Sequence, residues 1–398
     1  MVVFGATGFV GEILCHYLDT RLANSDLKWA IAGRDQAKLE ALQSTLKSPV
    51  GIEIVDAHDQ RALDALVNRT ALVISTVGPY AKHGSMLVEA AARAGTDYCD
   101  LTGEPQWMQR MIDSYSEAAN ASGARIVHAC GFDSIPSDLG VAFTQQAAFE
   151  RFGEYCGQIS MRVKAIRGGV SGGTVASMLN LVEEAKVDPH ARRILANPYA
   201  LAPTGMREGI HQPNIVAPIR DIASQNWIAP FAMATVNTRV VHRTHALLGR
   251  PWGDVFLYDE ATMTGTGAVG LARATAMSGG AGAFFGAANV RPVRKALEKY
   301  VLPKPGEGPS VDKQQSGFFD LRFFGTTTSG HTLTTKVTGD RDPGYGSTAK
   351  MLGEAAIALL TADPADVPGG FWTPASALSP AFVDPLQQHA GLTFSTLD

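Results

Sequence analysis

The chain has 398 residues, 45% of them hydrophobic, with a formal net charge of −4. Its length predicts two domains around ample cores, and the lack of any long basic block excludes nucleic acid as a partner. The four cysteines (Cys15, Cys99, Cys130 and Cys156) are scattered without a CxxC pair, which argues against a zinc site and a disulfide framework and predicts no metal and a reducing, cytoplasmic setting.

The apolar run Val2-Val3-Phe4 leads directly into Gly5-Ala6-Thr7-Gly8-Phe9-Val10-Gly11. Val10, Ile13, Leu14, Tyr17, Leu18 and Leu22 then recur at helical spacing. Strand, glycine-rich turn and helix start together form a holder for a dinucleotide diphosphate. Gly5 permits the tight turn, Gly8 lets backbone N–H groups approach the phosphates, and Gly11 lets the helix pack close to the sheet. The phosphates would sit at the positive end of the helix dipole. The fold starts almost at Met1, so no cleavable leader is read, and a start lying upstream would lengthen the first strand.

Further strands are predicted at 28–33, 50–55, 71–77, 96–100 and 124–129, with helices near 9–23, 35–47, 59–68, 83–94 and 105–122. This alternation predicts an α/β fold, a Rossmann-type doubly wound parallel sheet over residues 1–150. Beyond about residue 155 the pattern changes. Gln158–Arg167 reads as a strand, Gly173–Lys186 as a helix and 318–338 as two antiparallel strands around a Thr/Ser/Gly turn. Residues 151–340 are therefore read as a second, α+β substrate domain. Residues 341–398, with a helix at 344–361, are read as a C-terminal helix and tail packing back on the first domain.

Residues 264–290 are rich in Gly, Ala, Thr and Met, with Arg273 their only charge. They read as a helical hairpin, with shallow membrane contact as the alternative; the uncharged stretch is marginal for a span. Arg291, Arg294 and Lys295 follow and would suit anionic headgroups, and Pro303, Pro305 and Pro309 mark a loop.

The residue ending the second strand selects the coenzyme: a carboxylate for NAD, a cation for the 2′-phosphate of NADP. Here Arg34 stands in that position, with Lys38 one helical turn on, so NADP(H) is expected. Asp35 reads as the cap of the next helix. Asp56, past the third strand, reads either as an adenine contact or as a capping acid.

Ligands in open α/β sheets bind beyond the carboxyl ends of the strands. Three loops there carry polar groups: Ser75-Thr76-Val77-Gly78-Pro79-Tyr80, Asp97-Tyr98-Cys99-Asp100-Leu101-Thr102-Gly103-Glu104, and His128 through Pro136. Thr102 and Glu104 read equally as caps of the helix at 105, Ser134 and Ser137 as caps of the helix after Pro136, and Gly78-Pro79 as a turn. Tyr80, Asp100, Asp133 and Ser134 are the candidate catalytic residues, and Val77 and Gly78 join the coenzyme set. A short-chain reductase would need Tyr-x-x-x-Lys; the one match, Tyr300 to Lys304, contains Pro303, which would break the helix that aligns the pair. GxSxG, HExxH and P-loop motifs are absent from the sequence, so hydrolase, zincin and NTPase readings lose support.

These segments occur in one order with Gly168-Gly169-Val170-Ser171-Gly172-Gly173-Thr174, Leu302-Pro303-Lys304-Pro305-Gly306-Glu307-Gly308-Pro309, Asp342-Pro343-Gly344-Tyr345 and Gly370-Phe371-Trp372-Thr373-Pro374-Ala375. Together they resemble the saccharopine dehydrogenase-like oxidoreductases over nearly the whole chain, and most of all their trans-acting enoyl reductase branch. The resemblance implies an NADP-binding Rossmann domain, a second α+β domain, and reduction of an enoyl bond on a polyketide-type lipid in trans to a synthase lacking its own reductase. It also adds interest to 264–290 as a lipid contact.

The expected chemistry is hydride attack on the β-carbon of an α,β-unsaturated acyl thioester. Backbone N–H groups near Gly131–Ser134 would stabilise the enolate, and Tyr80 would supply the α-proton. Two rivals stand beside it. A saccharopine-type carbon–nitrogen dehydrogenase would need cations for substrate carboxylates; Arg162, Lys164 and Arg167 are available, though a solvated strand face explains them as well. A non-catalytic NADP- and lipid-binding protein is the other.

Overall fold

The computed structural model describes residues 1–168, 172–288, 290 and 308–397. Residues Gly169–Ser171, Arg291, Arg294, Lys295, and the Tyr300, Leu302, Pro303, Lys304 and Pro305 positions singled out above lie outside the described residues.

Strands β1 (Val2–Phe4), β2 (Ala30–Gly33), β3 (Gly51–Ile54), β4 (Leu72–Ser75), β5 (Asp97–Asp100) and β6 (Arg125–Val127) build the first sheet. Strands β7 (Cys156–Arg167), β8 (Ile219–Arg220), β9 (Trp227–Pro230), β10 (Leu257–Gly265), β11 (Phe318–Thr327) and β12 (Thr332–Gly339) build the second. The end of the chain feeds both: β13 (Gly370–Trp372) pairs parallel with β6, and β14 (Leu392–Leu397) pairs antiparallel with β12.

The first sheet runs β13-β6-β5-β4-β1-β2-β3. Its pairings are parallel, and Val2 of β1 stands between Ala30 of β2 and Val73 of β4. Strand order reverses between β1 and β4, which opens a crevice at their carboxyl ends. Every residue of β4 is buried, as expected of a strand covered on both faces. One face packs on helices Ser85–Ala94 and Pro105–Ser122 through Leu87, Val88, Trp107 and Met108. The other packs on helices Phe9–Arg21 and Thr348–Thr361 through Leu14, Leu18, Met351 and Leu352. Glu354 ties those two helices together, accepting from Tyr17 Oη at 2.6 Å and Arg21 Nε at 2.7 Å.

The second sheet runs β14-β12-β11-β7-β10-β9-β8, with β7 parallel to β10 and antiparallel to β11. Helix Ile135–Phe152 carries the chain from the first sheet to the second. It lies so close to β11 that a Cβ on Gly140 would overlap the Phe323 ring. Phe319, Leu321, Phe323 and Val337 continue the core that begins under the first helix.

Two expectations are corrected. The 264–290 segment is not a helical hairpin: β10 ends at Gly265 and one helix, Gly267–Ala288, follows. Among the described residues, no helix is long and apolar enough to cross a membrane. Arg162 is not on a solvated face. It is 3% exposed, donating from Nε and Nη2 to Asp221 at 3.1 and 3.0 Å and from Nη1 to Asp259. A buried guanidinium needs such a pair of carboxylates to offset its lost hydration.

Candidate functional site

At the head of the crevice, Gly5 has φ +86° and its N–H donates to Ala32 O at 2.9 Å, which locks the turn onto β2. Thr76 Oγ1 donates to Gly5 O at 3.0 Å from the neighbouring loop. Gly11 is buried against that turn; a Cβ there would overlap the Gly5 carbonyl oxygen and lie 2.8 Å from Ala6 O. Gly8 begins the helix without a side-chain cap. The first helical N–H groups of Phe9, Val10 and Gly11 have no i−4 partner by construction, so they point outward as donors. A turn that tolerates no side chain at Gly5 or Gly11 and offers uncapped donors at a helix start fits a diphosphate. Ala6 is buried, Thr7 is half-buried at the turn, and the Val77 methyl packs over Gly5.

Arg34 follows β2 directly and is exposed. Asp35 accepts from the Lys38 N–H at 3.2 Å, so it caps helix Gln36–Gln43 and leaves Arg34 as the cation at the strand end. The exposed Lys38 lies in the first turn of that helix. Such an arrangement suits a 2′-phosphate. Asp56 accepts from the His58 N–H at 2.9 Å, a local turn bond that occupies one carboxylate oxygen.

The three polar loops meet at the ends of β4, β5 and β6. Gly78 packs on the Tyr80 ring. The Tyr80 phenol is buried, donates to Ser75 O at 2.9 Å and accepts from the Leu101 N–H at 3.2 Å. Burial, with the Asp100 charge second, holds its proton well above the usual phenol range. Tyr80 thus braces two loops, and its proton is committed. Its own N–H donates to Glu104 Oε1 at 2.9 Å, and the Ala81 N–H to Oε2 at 3.0 Å. Ser177 Oγ of helix Gly172–Val187 adds a third bond at 2.7 Å. Burial raises the Glu104 carboxyl and these three donors pull it back. Glu104 therefore joins the coenzyme-side loop to the second half of the chain instead of serving as a simple helix cap.

Asp100 is fully buried and saturated. Oδ1 accepts from the N–H groups of Thr102 and Ala129 at 3.0 and 3.1 Å, and Oδ2 from Tyr98 Oη at 3.0 Å and His128 Nδ1 at 2.8 Å. It binds the β5 loop to the β6 loop. Ser134 is also fully buried and donates to Asn237 Oδ1 at 3.0 Å. Asn237 Nδ2 in turn donates to Ser137 Oγ at 3.0 Å and Glu260 Oε2 at 2.9 Å. Burial raises the Glu260 carboxyl to about 7. This chain of polar groups fastens helix Ile135–Phe152 to β10 and helix Ala234–Leu247.

Asp133 differs from both. It is half-buried, near Gly103 and Gly131. Burial pushes its carboxyl up to about 7, its own backbone N–H pulls it part of the way back, and the Asp100 charge adds to the rise. It alone of the four candidates combines partial exposure with a proton that titrates near neutrality, the condition an acid catalyst needs.

The Gly131–Ser134 amides are mostly spoken for, contrary to the expectation of an open donor cluster. The Phe132 N–H donates to Thr348 Oγ1 at 2.9 Å, the Ser134 N–H to Gly131 O at 3.2 Å, and the Asp133 N–H to its own carboxylate. Sequence reasoning missed several residues that wall this region. Thr348 reaches Phe132, Met233 and Val236 face Gly103, and Tyr345 meets Phe9 edge to face at 4.8 Å. The Asp342-Pro343-Gly344-Tyr345 motif signalled the last; nothing local signalled the others.

This turn, sheet and crevice define a protein of the dinucleotide-binding α/β class. Residues 1–127 match the family model described as the saccharopine dehydrogenase NADP binding domain. A Mycobacterium tuberculosis relative assigned provisionally as a trans-acting enoyl reductase is 39% identical over 409 residues, covering all of this chain and 97% of its own. The trans-acting enoyl reductase of Mycobacterium bovis is 35% identical over 410 residues with the same coverage. Among solved structures, apo saccharopine dehydrogenase (L-Glu forming) from Saccharomyces cerevisiae covers all of this chain and 99% of its own, at TM-score 0.54 and 15% identity, a likeness of fold. The chain belongs to the saccharopine dehydrogenase-like oxidoreductases, in the branch of the trans-acting enoyl reductases. It is an NADP(H)-dependent oxidoreductase, which sets aside the non-catalytic reading.

Proposed function

We propose that the protein reduces the carbon–carbon double bond of an α,β-unsaturated acyl thioester of polyketide or fatty-acyl type, in trans to a polyketide synthase that presents the chain. Full-length similarity to relatives named for that activity supports the reaction class. The place of Asp133, half-buried between Gly103 and Gly131 with its carboxyl pushed up to about 7 by burial, supports the mechanism.

NADPH, when bound, supplies the hydride for the β-carbon. Residues Gly5 to Gly11 would hold its diphosphate and Arg34 and Lys38 its 2′-phosphate, with Val77, Gly78 and Asp56 completing the coenzyme set. Asp133 gives its proton to the α-carbon as the electron pair of the double bond closes the new C–H bond there. The Gly131 N–H, with no bond to another described residue, would be the donor for the charge that develops on the thioester oxygen. Tyr80, Asp100 and Ser134 work through others, holding the three loops at fixed spacing.

Of the cations the carbon–nitrogen alternative would use, Arg162 is consumed by Asp221 and Asp259, Lys164 lies 3.9 Å from Asp320, and Arg167 is exposed at the end of β7. Purified protein should consume NADPH with a 2-enoyl-CoA thioester and not with an amino acid plus a 2-oxo acid; the reverse preference overturns the proposal. Peripheral lipid contact is assigned to helix Gly267–Ala288, where Val269, Leu271 and Met277 are exposed. Flotation with anionic vesicles should be lost on replacing these three by serine.

A further inference from the structure

Two loops of the first sheet bring a pair of imidazoles together. His58 follows the Asp56 turn after β3, and His83 ends the short helix Tyr80–His83 after β4. His58 Nε2 and His83 Nδ1 are 3.0 Å apart, and the rings meet edge to face with centroids 5.2 Å apart. His58 is exposed and His83 half-buried. Neither ring fills a core, and a hydrogen bond between exposed groups adds little to stability.

The charges around the pair are informative. Burial lowers the His83 imidazole first; the neighbouring His58 ring, Lys82 and Arg34 lower it further, and Asp56 alone works the other way. Asp35 and Asp59, on the flanking helix starts, accept from the N–H groups of Lys38 and Ala62. Arg34, the cation at the end of β2, therefore reaches the His83 imidazole with its field. A site of this composition, cations beside a pair of imidazoles in contact, is arranged for a multiply charged anion.

We propose that His58 and His83 complete the 2′-phosphate site begun by Arg34, and that the pair takes up one proton when the phosphate arrives. The stoichiometry follows from the geometry. A neutral pair carries two N–H bonds, one shared between the rings and one pointing outward. One added proton gives each ring an outward N–H for a phosphate oxygen; a second would set two N–H groups head to head at the 3.0 Å contact. In the free protein Arg34 and Lys82 oppose that proton. A dianion placed among them reverses the sign of the field, so the imidazole pKa rises on binding and the proton is gained.

The inference rests on NADP(H) as the coenzyme and concerns how it is told from NADH. Titration calorimetry of the intact protein near neutral pH, in two buffers of different ionisation enthalpy, reads proton uptake directly. NADPH should bind with net proton uptake and NADH with none. The double variant His58→Gln, His83→Gln keeps polar amides but cannot charge. It should lose the uptake and bind NADPH about 5- to 20-fold more weakly, with the NADH Kd changed less than about twofold. Adenosine 2′,5′-bisphosphate against 5′-AMP should repeat the contrast without the nicotinamide. Parental uptake surviving in the double variant, or equal weakening of both coenzymes, overturns the proposal. Failure of the parent to bind either coenzyme would instead strike its premise.

Discussion

Replacing Asp133 by asparagine removes the one of the four candidate residues that is half-buried and whose carboxyl burial pushes up to about 7. The carboxyl titrates at about 7 because it is buried beside the Asp100 charge. An acid must be protonated to act, so activity is full below that value and lost above it. With a pKa of about 7, the protonated fraction is about 0.9 at pH 6 and about 0.1 at pH 8, so kcat/KM should fall about tenfold across that interval. Asp133→Asn should cost about 10²- to 10⁴-fold in kcat with the NADPH Kd nearly unchanged, the range found for positioned proton donors. Steady-state kinetics across the pH range, with coenzyme affinity measured by fluorescence, separates the two effects. A flat profile from pH 6 to 8, or an asparagine variant with parental kcat, would refute the assignment. A profile that rises with pH would show that the group acts as a base.

Tyr80→Phe leaves Ser75 O and the Leu101 N–H without their phenol partner and should cost about 1–3 kcal/mol in denaturant unfolding, while kcat falls much less than in Asp133→Asn. Gly11→Ala forces a methyl into the Gly5 and Ala6 carbonyls, so NADPH affinity should drop by about 100-fold or more in calorimetry while the far-UV circular dichroism spectrum is kept. Arg34→Ala should weaken NADPH about tenfold and leave NADH nearly unaffected, bringing the two affinities together.

Much of the first sheet was legible because its strands are short apolar runs punctuated by glycine turns, and each βα unit carries its own periodicity. Helix ends were over-extended, as at 35–47 against Gln36–Gln43, because the chain past the helix continues in tighter turns, Thr45 N–H bonding Leu42 O and Leu46 N–H bonding Gln43 O, which keep a helical pattern. The second sheet was half legible. Its long hairpin shows alternation, but β8 and β9 are too short to leave a pattern, and β13 and β14 are strands only because a distant sheet edge receives them. Arg162 misled for the same reason: its partners Asp221 and Asp259 are 59 and 97 residues away, and a lone arginine on a strand reads as solvated. At the site, residue types were visible and their commitments were not. Tyr80, Asp100 and Ser134 all look reactive in the sequence, yet backbone groups and buried partners from other elements occupy them, whereas Asp133 is distinguished only by what surrounds it.

The proposed reaction sends hydride to a β-carbon and a proton to its neighbour. Mass spectrometry of the acyl product decides it, using a 2-enoyl thioester, coenzyme deuterated at the transferred position of C4, and, separately, unlabelled coenzyme in D2O. The account predicts one deuterium at the β-carbon in the first experiment and one at the α-carbon in the second. Deuterium on the thioester carbonyl carbon, or on carbon bonded to nitrogen when an amine is supplied, would contradict it.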